Sequence, residues 1–157
     1  MVEQEQVRVG FEPEEVDPTI STREARLKWV ILVDEALPAG RAVNAAVCAA
    51  SATAVGVRGL LGPDAKDASG QLHPGLPWAG CSILAASAER IAEIRAKAVE
   101  SLGVFVADTP VQAQATRVYD EYLRQVGEET SLDYCAVSIV GPRNRVDKLV
   151  KKLPLLS

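Results

Sequence analysis

An uninterrupted apolar run leading into an alanine-rich segment constrains this chain most. Residues 29–33 are all large and apolar, and most are β-branched. Such a run is typical of a strand that is covered on both faces of a sheet, because an exposed face would need alternating polar residues. Asp34 and Glu35 end the run, and the tight loop 37–40 precedes a helix predicted over residues 41–54. This order of strand, loop and helix is where α/β domains usually hold their binding sites.

The rest of the chain repeats the alternation of strands and helices. Apolar runs predict further strands at residues 81–85, 104–107 and 133–140. Helical periodicity or helix-start residues predict helices at 87–102, 109–126 and 141–153. Thr109, Pro110 and Gln112 resemble a capping box that opens the third helix. The alternation predicts an α/β fold, a three-layer α/β/α sandwich around a sheet of four main strands.

Length and composition suit one ordinary domain, since 157 residues with 48% apolar content can bury a sizeable core. Residues 1–27 are predicted to be an acidic N-terminal extension, with a short edge strand suggested by Val7, Val9 and Phe11, and residues 28–157 form the single α/β domain. Residues 56–80 contain six glycines and three prolines, which predicts a long functional or mobile loop.

Several classes of function are disfavoured by charge and composition. A net charge of −4 makes nucleic acid an unlikely main partner, because phosphate binding needs clustered Lys and Arg. Apolar stretches fall short of the roughly 20 residues of a membrane span, and no basic segment followed by an apolar one opens the chain, so we expect a soluble, cytoplasmic protein. The three cysteines lie in apolar segments and are predicted to be buried, reduced thiols, namely Cys48, Cys81 and Cys135. With one histidine and no paired ligand spacing, neither a metal nor a cofactor is expected.

Two acidic side chains follow the first and third predicted strands. If those strands are neighbours, Asp34 and Asp108 would converge above the start of the first helix. Like charge could then raise one pKa and supply a general acid and a general base. The alternative is that both carboxylates accept backbone N–H groups in loops or at helix starts.

Further candidates lie at helix starts and in the long loop. Gly40, Arg41 and Asn44 combine backbone donors, a guanidinium and an amide in one helical turn, a set that can hold a carboxylate or phosphate. Arg41 could equally be a solvated side chain. Arg143 stands at the start of the last helix and could also donate to an anion. His73 titrates near neutrality without special tuning, although a lone loop histidine is often incidental.

Five motifs carry a resemblance to a known family. They are residues 32–40 (LVDEALPAG), 42–46 (AVNAA), 60–75 (LLGPDAKDASGQLHPG), 119–122 (YDEY) and 140–149 (VGPRNRVDKL). With them the chain resembles a bacterial family of unknown function whose fold is similar to that of type II peptidyl-tRNA hydrolases. The resemblance implies a mixed four-stranded sheet with its last strand antiparallel, and a homodimer.

The same resemblance carries little of the hydrolase chemistry. Gly40 and Arg41 fall on the Gly-Lys of the hydrolase pattern, and Asp108 falls on its loop Asp. Residues 43, 47 and 50 are Val, Val and Ala where the hydrolases have polar side chains. A valine cannot transfer a proton or orient water, so the resemblance implies the fold and not the peptidyl-tRNA ester chemistry.

The leading expectation is a domain that binds a small polar or anionic ligand at the carboxyl ends of the first and third strands. Its ligand contacts would come from Asp34, Gly40, Arg41, Asn44, His73, Asp108 and Arg143. One alternative is a hydrolase of an ester or amide with an acid-base set rebuilt from Asp34, Asp108 and His73. The other is a non-catalytic domain that binds a protein partner, so whether the protein is an enzyme stays open.

Overall fold

The computed structural model describes residues 8–157. The strands within this range are β1 (Leu27–Asp34), β2 (Ala65–Lys66), β3 (Leu72–His73), β4 (Ser82–Ala86), β5 (Phe105–Pro110) and β6 (Tyr134–Pro142). The α-helices are α1 (Ala39–Gly56), α2 (Ala88–Glu100), α3 (Tyr119–Gly127) and α4 (Arg143–Leu149). None of these helices is both long and apolar enough to cross a membrane.

The main sheet has the strand order β4-β1-β6-β5. β1 is parallel to β4, whereas β6 is antiparallel to both β1 and β5. The predicted mixed four-stranded α/β sheet is therefore confirmed. The condition set for the convergence of Asp34 and Asp108, that the first and third main strands are neighbours, is not met, because β6 lies between β1 and β5.

Helices cover both faces of the sheet, which explains the unbroken apolar run in β1. Trp29, Ile31 and Val33 point into the layer beneath α1. Val30 and Leu32 alternate with them and pack into the layer of α2 and α4. Since successive side chains of a strand point to opposite faces, both sets must be apolar to be buried.

A buried chain of hydrogen bonds joins α1 to the sheet. Trp29 Nε1 donates to Ser138 Oγ at 2.8 Å, and Ser138 Oγ lies 2.7 Å from Thr53 Oγ1. Thr53 uses its own hydrogen to donate to the Ala49 carbonyl at 2.7 Å. Ser138 must therefore donate to Thr53, and the side-chain polar atoms of Trp29, Ser138 and Thr53 all have a hydrogen-bond partner.

The third predicted helix begins in the wrong place. β5 continues through Pro110, a 3-10 helix spans Val111–Gln114, and α3 starts only at Tyr119. Thr109 is paired with Ala136 of β6, and its hydroxyl donates to the Ala45 carbonyl of α1 instead of capping a helix. Pairing with β6 outweighs the local capping signal.

The segment before β1 packs against the core. The Phe11 ring is only 1% exposed and lies 4.8 Å from the Trp78 ring. Gly10 forms an isolated bridge with Arg58, and the Phe11 N–H donates to the Arg58 carbonyl at 2.8 Å. Val7, the first residue of the predicted edge strand, lies outside the described residues.

Candidate functional site

The start of α1 is open and uncapped. Pro38 is the N-cap residue and offers neither an N–H nor a capping side chain, and the first turn carries no acidic residue. The first intrahelical bond runs from the Ala42 N–H to the Pro38 carbonyl at 2.9 Å, so the N–H groups of residues 39–41 have no acceptor within the helix. Apart from its two chain neighbours and the nearby helix backbone, no atom of residues 8–157 lies within 4 Å of a Cβ built on Gly40, so there is open space beside this positive helix end.

One amide side chain organises the polar groups of this first turn. Arg41 Nε donates to Gln114 Oε1 at 2.9 Å. Gln114 Nε2 in turn donates to the Arg41 carbonyl at 2.9 Å and to Asn44 Oδ1 at 3.3 Å. Gln114 ends the 3-10 helix that follows β5, so it crosses from the far edge of the sheet to α1. Gly40, Arg41, Asn44 and Gln114 are together called the α1 cluster below.

Sequence reasoning missed Gln114, because the helix predicted over residues 109–126 would have placed it in a helix interior. Nothing in its local sequence distinguishes it from the nearby Gln112. Only the contact with Arg41, a residue 73 positions earlier, reveals its role.

The two outer nitrogens of the Arg41 guanidinium have no hydrogen-bond partner among the residues that the structure describes. Its one side-chain hydrogen bond to a residue in the range 8–157 uses Nε, and no carboxylate of that range lies within 4.0 Å. An exposed guanidinium that is fixed at Nε and free at both Nη atoms is a ready bidentate donor.

Asp34 and Cys135 lie on the inner side of the α1 cluster. Cys135 is buried, and its Sγ is 3.6 Å from Gln114 Oε1. Burial raises the pKa of the Cys135 thiol above its ordinary value; Arg41 opposes this rise and Asp34 adds to it. The thiol therefore stays protonated at neutral pH, unlike an activated nucleophile. Asp34 Oδ1 accepts the Ala36 N–H at 3.0 Å, the backbone bond that the alternative interpretation predicted.

Asp108 lies on the other face of the sheet. Thr109 points toward α1, so the preceding side chain must point toward α2. Arg95 Nε of α2 donates to Asp108 Oδ2 at 2.8 Å, and the Arg95 guanidinium sits 4.8 Å from the centre of the Tyr134 ring. The predicted convergence of Asp34 and Asp108 above α1 is therefore wrong. Asp108 is among the alternate β5 side chains that face α2, and its ion pair with Arg95 holds it on that side of the sheet.

His73 belongs to a separate hairpin. It lies in β3, is exposed, and its Nε2 is 3.0 Å from Asp67 Oδ2. Ser69 Oγ donates to the same carboxylate at 2.6 Å. Asp67 thus stands between Ser69 and His73, whereas a catalytic triad needs the histidine in the middle. The acid-base set proposed for a hydrolase, Asp34, Asp108 and His73, is not brought together.

Arg143 fastens the segment before β1. Its Nη2 donates to the carbonyls of Thr22 and Ala25 at 3.0 and 3.1 Å. Pro142 pairs with Leu27, the first residue of β1, so Arg143 lies at the opposite end of the strands from the α1 cluster. Its predicted role in the same ligand site is wrong for this geometric reason.

Two of the three cysteines differ from prediction. Cys135 is buried as expected, but Cys48 and Cys81 are exposed. Cys48 lies off the stripe of α1 that faces the sheet, which consists of Ala42, Ala45, Ala49 and Thr53. Over residues 8–157 no group of three or more His, Cys, Asp or Glu side chains is arranged to hold a metal ion.

Comparison with known proteins places the chain in a family. No curated protein matches it significantly. A protein of unknown function from Agrobacterium has a similar structure, with a TM-score of 0.75 and 16% sequence identity over 84% of this chain and 98% of that chain. At this identity the likeness establishes the fold alone. The likeness to type II peptidyl-tRNA hydrolases stays a prediction. The family model described as "Protein of unknown function (DUF2000)" matches residues 27–157, so the chain belongs to the DUF2000 family.

Proposed function

We propose that the protein binds a small ligand through a carboxylate or phosphate group at the α1 cluster. The observation that carries this function is the pair of Arg41 Nη atoms, which have no partner within residues 8–157, beside an uncapped helix start. Both features attract negative charge, and no acidic side chain of the first helical turn neutralises them.

Each member of the α1 cluster has a separate part in this function. Gly40 lets the anion approach the backbone N–H groups, because it has no side chain. Arg41 supplies charge and a bidentate donor. Gln114 is a positioning residue that holds Arg41 at Nε, and Asn44 can donate its amide N–H₂ to the ligand because its Oδ1 is engaged by Gln114.

The neighbouring acids favour a ligand that is more than a bare anion. Asp34 is half-buried and Glu35 is exposed, and both precede the loop that leads into α1. These carboxylates oppose a second negative charge on the ligand and favour a hydrogen-bond donor or a positive group there. We therefore expect a small polar molecule with one anionic end.

Anion binding can be tested with inorganic phosphate and acetate as probes, by thermal unfolding and by NMR titration of backbone amides. A ligand that binds only the folded state raises the unfolding temperature. We expect stabilisation and shifts at residues 39–44 in the wild type, with at least a tenfold loss of affinity in Arg41→Gln and a smaller loss in Gln114→Ala.

The matched control is Arg23→Gln, which removes an exposed arginine that lies outside the α1 cluster. It should respond to both anions like the wild type. An equal response of Arg41→Gln and Arg23→Gln, or amide shifts away from α1, would contradict the proposed site.

A further inference from the structure

A second group of ionisable side chains lies on the α2 face of the sheet, across from the α1 cluster. Its centre is the ion pair between Arg95 of α2 and Asp108 of β5, whose side chains are 31% and 20% exposed. Tyr134 of β6 lies against the Arg95 guanidinium, at 4.8 Å from its ring centre. The protein therefore fixes both charged groups, and both can still be reached from solvent.

The ion pair leaves much of its hydrogen-bonding capacity unused. It contains one hydrogen bond, from Arg95 Nε to Asp108 Oδ2. Within residues 8–157, neither Nη atom of Arg95 and not the second oxygen of Asp108 has a hydrogen-bond partner. A bidentate pair would also have used an Nη atom and that second oxygen. Arg95 thus offers two donor atoms side by side, and Asp108 offers one acceptor next to them.

The Tyr134 hydroxyl also has no partner. Tyr134 is only 7% exposed, yet its hydroxyl makes no hydrogen bond within residues 8–157. In that range, Gln112 Oε1 is the one enclosed side-chain polar atom without a partner, so the Tyr134 hydroxyl must be open to solvent. The hydroxyl of a buried tyrosine usually has a hydrogen-bond partner. Because Arg95 lies against this ring, a ligand that supplies the partner would lie beside the ion pair.

α3 brings a second phenol to the ion pair. Tyr122 is half-buried, although α3 contains no fully buried residue. Burial raises the pKa of Tyr122, and the negative charge of Asp108 adds to this rise, which indicates that the phenol lies near that carboxylate. Burial likewise raises the pKa of Tyr134, so both phenols stay protonated at neutral pH and can donate. Arg95, Asp108, Tyr122 and Tyr134 are together called the Asp108 cluster below.

The unused groups indicate a ligand that carries both charges. A ligand with one charge would be attracted by one member of the ion pair and repelled by the other. The two Nη atoms suit the two oxygens of a carboxylate, whereas the single oxygen left on Asp108 suits one ammonium group. Since Arg95 and Asp108 are in contact at 2.8 Å, the two charges of the ligand must also be adjacent. An α-amino acid has this arrangement, because one carbon atom joins its ammonium and carboxylate groups.

We propose that the Asp108 cluster is a second binding site, which holds the ammonium and carboxylate groups of an α-amino acid. Arg95 binds the carboxylate through its two Nη atoms, and Asp108 Oδ1 accepts a hydrogen bond from the ammonium group. The hydroxyls of Tyr122 and Tyr134 complete the polar surface around the ligand. Because the sheet separates this site from the α1 cluster, either proposal can fail without the other.

NMR titration of backbone amides tests this site with L-alanine, propionate and ethylamine as probes. Propionate lacks the ammonium group of alanine, and ethylamine lacks its carboxylate. We expect L-alanine to shift the amides of Asp108 and Tyr134 and to bind at least about tenfold more tightly than either half-ligand, because charged hydrogen bonds are lost with each half. Glycine and L-phenylalanine extend the test to smaller and larger side chains. Shifts at residues 39–44 report the α1 cluster and are evaluated separately.

Tyr134→Phe is the sharpest variant, because it removes a hydroxyl that has no partner within residues 8–157 and keeps the ring that Arg95 lies against. The free energy of unfolding should stay the same, while L-alanine should bind about threefold to tenfold more weakly. Asp108→Asn keeps an acceptor for Arg95 Nε and should weaken binding at least about tenfold, since the ammonium group loses its counter-charge.

Each of these variants has a matched control. Tyr119→Phe removes the hydroxyl of a tyrosine that is 74% exposed, and Asp147→Asn removes a carboxylate from the ion pair with Lys28. Both controls should bind L-alanine like the wild type. The inference would be overturned if none of the three amino acids shifted the amides of Asp108 and Tyr134 up to about 10 mM, which is ten times a millimolar dissociation constant. Equal binding of L-alanine and propionate, or unchanged binding by Tyr134→Phe and Asp108→Asn, would overturn it as well.

Discussion

At the scale of single residues, environment decides what each polar side chain does. Arg41 and Arg95 both lie on helices beside the sheet, yet Arg95 is paired with Asp108 and Arg41 is held by an uncharged amide. The opposite charges of Arg95 and Asp108 neutralise each other, and their contact stabilises the packing of α2 on β5. Arg41 keeps its charge available, which is why the proposed anion site includes it and not Arg95.

A second residue-scale case is Asp67, whose pKa is lowered from the ordinary value of 3.8 to about 2. The main cause is the hydrogen bond from Ser69, followed by the contact with His73. A lowered pKa means that the carboxylate stabilises the β2–β3 hairpin above about pH 3.8 and loses this effect as the pH falls through about 2. NMR titration of the side-chain carboxyl carbon should therefore give a midpoint near 2.

Ser69→Ala should move that midpoint upward, because it removes the largest cause of the shift. Ser51→Ala, at an exposed serine on α1, should leave the midpoint unchanged. A midpoint of Asp67 that ignores Ser69→Ala would show that the hydrogen bond does not control its titration.

At the scale of elements, the buried polar chain from Trp29 to Thr53 joins α1 to the sheet. Ser138→Ala would leave the indole N–H of Trp29 buried without an acceptor. We expect a loss of about 1–3 kcal/mol in the free energy of unfolding, measured by urea denaturation. Ser51→Ala removes a hydroxyl that bonds only within α1 at the surface and should change stability by less than about 0.5 kcal/mol. Equal effects of the two substitutions would contradict the role of this buried contact.

At the scale of the whole molecule, the segment before β1 is part of the core even though the family model begins at residue 27. Phe11→Ala should cost about 3–5 kcal/mol, because the ring is 1% exposed and its loss leaves a cavity. Phe11→Leu retains most of the apolar volume and should cost less. Urea denaturation monitored by Trp fluorescence should show one transition that shifts to lower urea, since Trp78 packs on Phe11. An unshifted transition would mean that the segment folds independently of the core.

Much of the architecture could be predicted because burial imposes local patterns. The apolar run of β1, the alternation of strands and helices, and the Ser87 cap of α2 were all recognisable without coordinates. The start of α3 was not, because Thr109 and Pro110 carry local helix-start signals that the pairing of β5 with β6 overrides. Within the candidate site, Gly40, Arg41 and Asn44 were recognisable for the same reason, as they share one helical turn.

The sequence by itself determined the layers and the open turn at the start of α1, since both follow from the spacing of apolar and small residues along single elements. Tertiary structure alone decided which distant side chains meet there. β6 lies between β1 and β5 and so separates Asp108 from Asp34. The alternation of side chains along β5 places Asp108 on the α2 face, where it pairs with Arg95. The 3-10 helix that follows β5 brought Gln114 to Arg41 instead. The order of the strands, and the face of the sheet on which a given side chain such as Asp108 lies, depend on long-range pairing, which leaves no mark in the local sequence.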